Sequence, residues 1–455
     1  MSDLQRAFAA LNGKVSEYDK LFNYAEGIQP LVYSTQRLIE AFRDIRAHFQ
    51  QGWCSVVIDA AMDRIVLKGL AALDADQTRQ LAQVWHGNQV QLEAYEAHRS
   101  ALITGEAFVI VWKNEAGEFE IYYNDPRLCH VFYEADNPKK KEFAAKWYAD
   151  ESEGTWRMTL YYEDRLEYYS SNSKDRPSTA RSFHPDEEAP VAPNPYGEIP
   201  VFHLRTSRSG AKSDMNGILS LQDAVNKLLA DMMVAAEYGA FKQRYVISNA
   251  DTGALKNSPS EIWSIPAGDG VGQQTQVGEF SETNLGMYLD AIDKLASSIG
   301  VISRTPKHYF YTAGANLSGE ALLAMESPLV KRVVQREENF SPTWQEIGAF
   351  ILKLESNQVV EPAEIMTVWA PPSTIQPRTE AETRQLAVTA GLPLITQLRR
   401  EGWAESDIKM MQQDQADQQS ANTADVGSSL LTAMRKLDST NPAESVNPND
   451  TPKTA

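Results

Sequence analysis

Ala101-Leu102-Ile103-Thr104-Gly105-Glu106-Ala107-Phe108-Val109-Ile110-Val111-Trp112 is the stretch from which the architecture can be read. Up to Thr104 the apolar residues belong to a helical pattern, and from Glu106 onward the period changes to two. Gly105 stands at the change. A helical N-terminal region therefore meets a β unit at this point. Upstream, Leu38, Phe42, Ile45 and Phe49, then Val57, Ala60, Ala61 and Ile65, recur at helical spacing, with Gly52 breaking the run. A third helix is expected from about Asp76 through Leu81, Val84 and Trp85 to His98, ending near Gly105, and Trp85, His86 and His98 read as ordinary packing and surface positions. Downstream, a turn at Asn114 to Gly117 and a second run at Phe119 to Tyr123 complete a hairpin. Further β-like runs at Cys129 to Tyr133, Phe143 to Tyr148, Trp156 to Tyr162 and Leu166 to Tyr169 predict an antiparallel meander. Ser170 to Asp186 reads as a loop. Pro190, Pro193, Pro195 and Pro200 form an extended strap leading to Val201-Phe202-His203-Leu204.

Beyond Gly210 long helices resume. Asp214 is placed to cap the first of them, whose stripe runs through Ile218, Leu221, Val225, Leu228, Leu229, Met232, Met233 and Ala236. Short β-like pieces at Tyr245-Val246-Ile247 and Ile262-Trp263-Ser264-Ile265 follow, in a segment too small to fold alone. A second striped helix carries Leu285, Leu289, Ile292, Leu295, Ala296 and Ile299 and is expected to end at Gly300. The loop from Val301 to Leu317 bears Arg304, Lys307, His308 and Gly314. A third long helix starts at Ser318 and runs to Leu354, and Pro328 and Pro342 within it predict a kink. Short helices at Thr379 to Thr389 and Pro393 to Arg400 come next. No aromatic residue occurs from Ala404 onward and five glutamines stand between Gln412 and Gln419, so 412–455 is expected to be disordered, apart from a short amphipathic turn at Leu430 to Leu437.

Composition narrows the function. The 455 residues carry a formal net charge of −18, which argues against a surface built to grip nucleic acid or an anionic membrane. Hydrophobic residues make up 42% of the chain, enough for a sizeable core in two to four structural units. Two cysteines, Cys54 and Cys129, suggest neither a disulfide scaffold nor a zinc site and fit a reducing compartment. No apolar run reaches the roughly 18 residues of a membrane span, and the N-terminus lacks a signal peptide, so a cytosolic protein is expected. Gly268-Asp269-Gly270-Val271-Gly272 lacks the Lys-Ser/Thr of a P-loop. HExxH, GxSxG and EF-hand patterns do not occur. The expectation is a non-enzyme with no catalytic residue, cofactor or metal. On residues alone, a cytosolic adaptor or scaffold and a nucleic-acid-processing enzyme with scattered site residues remain alternatives.

The order of patches resembles the portal proteins of tailed bacteriophages, of the siphophage type, the head-to-tail connectors through which the genome is packaged and ejected. The likeness is carried by Leu31 to Phe42, Trp53 to Ala60, Ala101 to Val109, Asn124-Asp125-Pro126, Gly197 to Val201, Leu221 to Lys227 and Leu317 to Leu322. It implies an α+β, mainly helical portal fold: wing 1–210, first stem helix 211–243, clip 244–280, second stem helix 281–300, tunnel loop 301–317, kinked helix with its return to the wing 318–376, crown 377–411. It also implies a ring of about twelve copies at one capsid vertex, assembled in the host cytoplasm. Its partners would be double-stranded DNA, the terminase large subunit, a head-completion or adaptor protein, and the major capsid and scaffolding proteins, with no membrane.

By the same resemblance, Arg304, Lys307, His308 and Gly314 would meet DNA in the channel; on residues alone the cations read as a solvated loop edge or as partners of nearby acids. Leu285, Leu289, Ile292, Ile299, Val225, Leu228 and Met232 would line the seam between neighbouring stems, the alternative being that the stripe is core within one chain. Trp263 and Asp269 would dock the motor and the adaptor, Trp263 being equally suited to fill the clip's own core. The physical pattern agrees in one respect: two striped helices separated by a segment too small to cover them need surface from elsewhere, and neighbours in a closed ring supply it.

Overall fold

The protein is described by a computed structural model that covers residues 1–29, 51–208, 210–240, 244–247, 276–279, 284–310, 319–356, 359–373, 377–400, 407–416 and 418. It divides into two compact units, Met1–Thr374 and Ile375–Ala455.

The first unit opens with α1 (Asp3–Ala25), started by a reciprocal cap in which Gln5 N–H donates to Ser2 Oγ and Ser2 N–H donates to the Gln5 side chain. Then come α2 (Trp53–Met62), β1 (Leu67–Ala72), α3 (Ala75–Gly87) and α4 (Val90–Thr104). The single helix expected from 76 to 98 is two helices, because Gln89 adopts a left-handed φ of 50° between them. Leu38, Phe42, Ile45 and Phe49 lie outside the described residues.

Gly105 ends α4 with φ 96°, its N–H donating to Ala101 O. A Cβ at this position would stand 2.1 Å from the Lys212 nitrogen, so only glycine fits. β2 (Glu106–Lys113) follows at once. Ala107, Val109 and Val111 join the main core, while Phe108 and Ile110 face a smaller core shared with Cys129, Val131, Ala144 and Val201. An unbroken apolar run is what a strand covered on both faces requires.

β2 is the middle strand of a three-stranded antiparallel sheet between β3 (Phe119–Asn124) and β10 (Val201–Arg205). A second antiparallel sheet holds β4 (Cys129–Tyr133), β5 (Lys141–Asp150), β6 (Thr155–Tyr161), β7 (Arg165–Ser171) and β8 (His184–Pro185) in that order, with β9 (Val191–Pro193) also on β7. The expected meander is thus two sheets. The break lies at Asp125, whose carboxylate accepts from the Arg127 backbone N–H and guanidinium and turns the chain out of β3. α1 lays Ala7, Phe8 and Leu11 on the second sheet, Phe8 meeting Trp147 edge to face at 5.7 Å.

Three long helices complete the unit: α5 (Leu219–Ala240), α6 (Gly286–Ser303) and α7 (Gly319–Ser356). Between α5 and α6, β11 (Arg244–Ile247) and β12 (Gln276–Glu279) pair as an antiparallel ribbon. α7 runs its 38 residues as one helix with Pro328 and Pro342 inside it. Its Leu329, Val333, Phe340, Trp344 and Ile347 fill the main core, where Trp344 Nε1 donates to His98 Nε2 at 2.9 Å and His98 stacks on Phe340. Burial holds the His98 imidazole neutral, its pKa pushed down to about 3. β13 (Ile365–Trp369) then returns to pair antiparallel with β1. The second unit contains α8 (Pro377–Thr389), α9 (Leu394–Arg400) and helical residues 407–416. The first residues of the expected disordered tail are therefore helical, and 419–455, with the expected turn at Leu430 to Leu437, lies outside the described residues.

Candidate functional site

The helix pair α5 and α6 and the turn after it hold most of the residues singled out from sequence. Val225, Ile292 and Ile299 are enclosed in the chain's own main core together with Ala296. The expectation that these three line a seam between copies is corrected: the inner half of each stripe is used within the chain, where α5 packs on α6. Leu228, Met232 and Leu285 are half-buried, and Leu289 is 47% exposed. Met287, Val301 and Ile302 join it among the exposed large apolar residues of α6.

α6 does not stop at Gly300 but runs to Ser303. Gly300 is a place of close approach instead, with the Thr305 carbonyl 2.9 Å from where a Cβ would stand. Arg304 forms the C-cap in the left-handed region (φ 56°), its N–H shared between Gly300 O and Val301 O. Its side chain is exposed and, among the described residues, makes no hydrogen bond or ion pair. Lys307 is otherwise placed, its Nζ lying 2.8 Å from the Asp293 carboxylate on α6. His308 Nε2 stands 3.8 Å from Glu326 on α7. Arg64, at the end of α2, donates to Glu326 and to the Tyr309 hydroxyl, both at 3.0 Å, and to Pro372 O. Phe310 closes the turn against Trp53. Gly314, Trp263 and Asp269 lie outside the described residues.

Asp214 does not cap α5. Ser213 Oγ accepts from the Met215 N–H in that turn, while the Asp214 carboxylate is buried between Arg332 and Arg336 of α7. Sequence inspection also missed a closed polar cluster at the start of β2. Glu106 Oε1 accepts from Lys14 Nζ and from the Tyr18 hydroxyl, each at 2.6 Å, and Glu106 Oε2 lies 3.2 Å from His203 Nε2. Lys14 Nζ is also 3.2 Å from His130 Nδ1. Burial alone would raise the Glu106 pKa, but the His203 hydrogen bond and the nearby Lys14 and His130 bring it well below the usual carboxylate range. Burial, reinforced by Lys14, pushes His130 down to about 3. The cluster pins α1 to both sheets by charge-assisted hydrogen bonds. The sequence signal was Glu106 itself, a carboxylate opening an apolar run.

Among the described residues no group of three or more His, Cys, Asp or Glu is arranged to hold a metal ion, and no helix is long and apolar enough to cross a membrane. Residues 53–423 match the family described as "Phage portal protein, SPP1 Gp6-like". The portal protein of Mycobacterium phage L5 is 23% identical over 350 residues, covering 71% of this chain and 69% of the relative. That of Mycobacterium phage D29 is 23% identical over 352 residues with the same coverage. A chain from the neck of an empty GTA particle is 14% identical with a TM-score of 0.44, covering 85% of this chain and 98% of that one. A chain from the virion of a native gene transfer agent particle is 15% identical with a TM-score of 0.43 and the same coverage. With the family match running from α2 through both sheets, α5, α6 and α7, this chain belongs to the phage portal protein family.

Proposed function

We propose that the protein forms the ring, of about twelve copies, that makes the channel at one capsid vertex through which double-stranded DNA is packaged and later ejected. The family match over 53–423 carries this reading. Physical support comes from α6, which leaves Met287, Leu289, Val301 and Ile302 exposed and so offers apolar surface to a neighbouring copy. Leu228, Met232 and Leu285, half-buried in the single chain, extend that surface, whereas Val225, Ile292 and Ile299 hold the stem together from within. Trp263 and Asp269 of the clip dock the terminase large subunit and afterwards the head-completion or adaptor protein. The wing faces the major capsid and scaffolding proteins during assembly in the host cytoplasm.

The net charge of −18 per copy suits a conduit: phosphates are repelled along most of an acidic wall, and few contacts detain the duplex. Within the turn after α6, Arg304 is the cation with its charge unspent, while Lys307 shares its charge with Asp293 and His308 faces Glu326. Contact with duplex phosphate therefore falls first to Arg304, without sequence readout. Native mass measurement and negative-stain imaging of the full chain test the reading. Rings of about twelve copies with a central hole are expected, and a stable monomer or dimer at assembly concentrations would overturn it.

A further inference from the structure

Arg332 and Arg336 stand one helical turn apart on α7 and converge on Asp214, in the turn that leads into α5. Arg332 Nη2 is 2.8 Å and Arg336 Nη2 2.6 Å from the carboxylate. Arg332 also donates to Ser303 O, the last residue of α6, at 2.8 Å. Arg336 donates to Thr206 O just beyond β10 at 2.9 Å, and Asn339 reaches the same oxygen at 2.9 Å. Asp214 N–H in turn donates to Leu102 O of α4. One face of one helix therefore holds the start of α5, the end of α6 and the edge of the wing sheet.

The chemistry makes this a stiff connection. The last carbonyls of a helix lack partners within it, and a guanidinium supplied by another helix satisfies one and favours the negative end of the dipole. Arginine is planar and forked, so two of them on one carboxylate fix direction as well as distance, which a lysine would not. The side chains of Asp214 and Arg332 are only 2% and 7% exposed, so water cannot substitute for either partner.

We propose that the Asp214–Arg332–Arg336 joint sets the angle at which the stem pair leaves the wing, and through that angle fixes how many copies close the ring. The inference rests on the ring reading above. A ring of identical copies closes when the rotation between neighbours is a full turn divided by their number, and twelve copies differ from thirteen by only about 2° per contact. In a ring whose neighbours touch through both parts, a loose angle between stem and wing admits several ring sizes and a stiff one admits a single size.

Native mass spectrometry of rings, with hydrogen exchange on the same preparations, tests the joint in the full-length wild type, Asp214→Asn and Arg336→Gln. Arg336→Gln leaves Asp214 and Arg332 matched one to one, with Asn339 still on Thr206 O, so it folds even where Asp214→Asn does not and decides the case. The wild type should give one ring size. Arg336→Gln should give two or more sizes, with several-fold faster exchange at 215–225 and 296–303 and unchanged exchange in the wing strands. A single ring size in Arg336→Gln, or several sizes without faster exchange in the stem segments, overturns the joint while leaving the ring intact. A wild type that forms no ring overturns the ring reading and the joint with it.

Discussion

At Gly105 one hydrogen atom decides whether α4 can hand over to β2. Gly105→Ala must place a methyl 2.1 Å from the Lys212 nitrogen while holding φ at 96°, so a loss on the order of 3 kcal/mol is expected, read as a lower midpoint in chemical denaturation. An unchanged midpoint would mean that the 211–212 backbone gives way freely. Glu337 gives a pH-dependent expectation. It is buried on α7 and, among the described residues, its Oε1 finds no hydrogen-bond partner. Burial, with Glu338 alongside, raises its pKa from 4.5 to about 7. Because the folded value lies above the unfolded one, the stability tied to the protonated carboxyl is complete below about 4.5 and is lost as pH rises through about 7. Glu337→Gln should therefore raise stability at pH 8 by about 1–2 kcal/mol and change it little at pH 5. Equal melting shifts at both values would show that Glu337 is ionised throughout.

α5 and α6 each divide into an inner and an outer face, and substitution separates the two. Ile292→Asp puts an unpaired charge in the main core and should unfold the α5–α6 pair, costing about 3–5 kcal/mol. Leu289→Asp, at a position 47% exposed, should leave a folded monomer that no longer assembles, as size-exclusion chromatography with circular dichroism would report. Assembled wild-type-like rings from Leu289→Asp would remove α6 from the interface. The stripes themselves were legible in sequence, since 3.6-residue periodicity is local. Which half of a stripe serves the chain itself was not legible, because that depends on α5 and α6 packing across a long intervening segment. The same limit explains β1. Leu67-Lys68-Gly69-Leu70-Ala71-Ala72 has little strand character alone and becomes a strand through Ile365 to Trp369. Conversely, β2 was plain from its apolar run, and Gly105 marked its start. The role of Asp214 escaped notice because its partners, Arg332 and Arg336, lie more than 100 positions away, whereas a cap is read from the next few residues.

For the assembled molecule, the contrast between Arg304 and Lys307 predicts a graded response. Arg304→Gln should leave rings intact and alter DNA packaging yield or retention, with an effect that shrinks as salt is raised. Lys307→Gln should matter less for DNA, because its charge is shared with Asp293, and should shift stability by no more than about 1 kcal/mol. If Lys307→Gln impairs packaging more than Arg304→Gln, the contact assignment in this turn must be exchanged. The pairing of β1 with β13 bears on the order in which the protein is made. Its two strands lie roughly 300 residues apart, so at about 5–20 residues per second β1 waits some 15–60 s on the ribosome before its partner is synthesised. By the end of that interval α5 and α6, which lie between the two strands in sequence, have been synthesised, so Leu289 and the other exposed apolar residues of α6 are made before the β1–β13 pair can close. Pairing of β1 is therefore a late event, and the growing chain carries the exposed apolar side of α6 before Ile365 to Trp369 have been added.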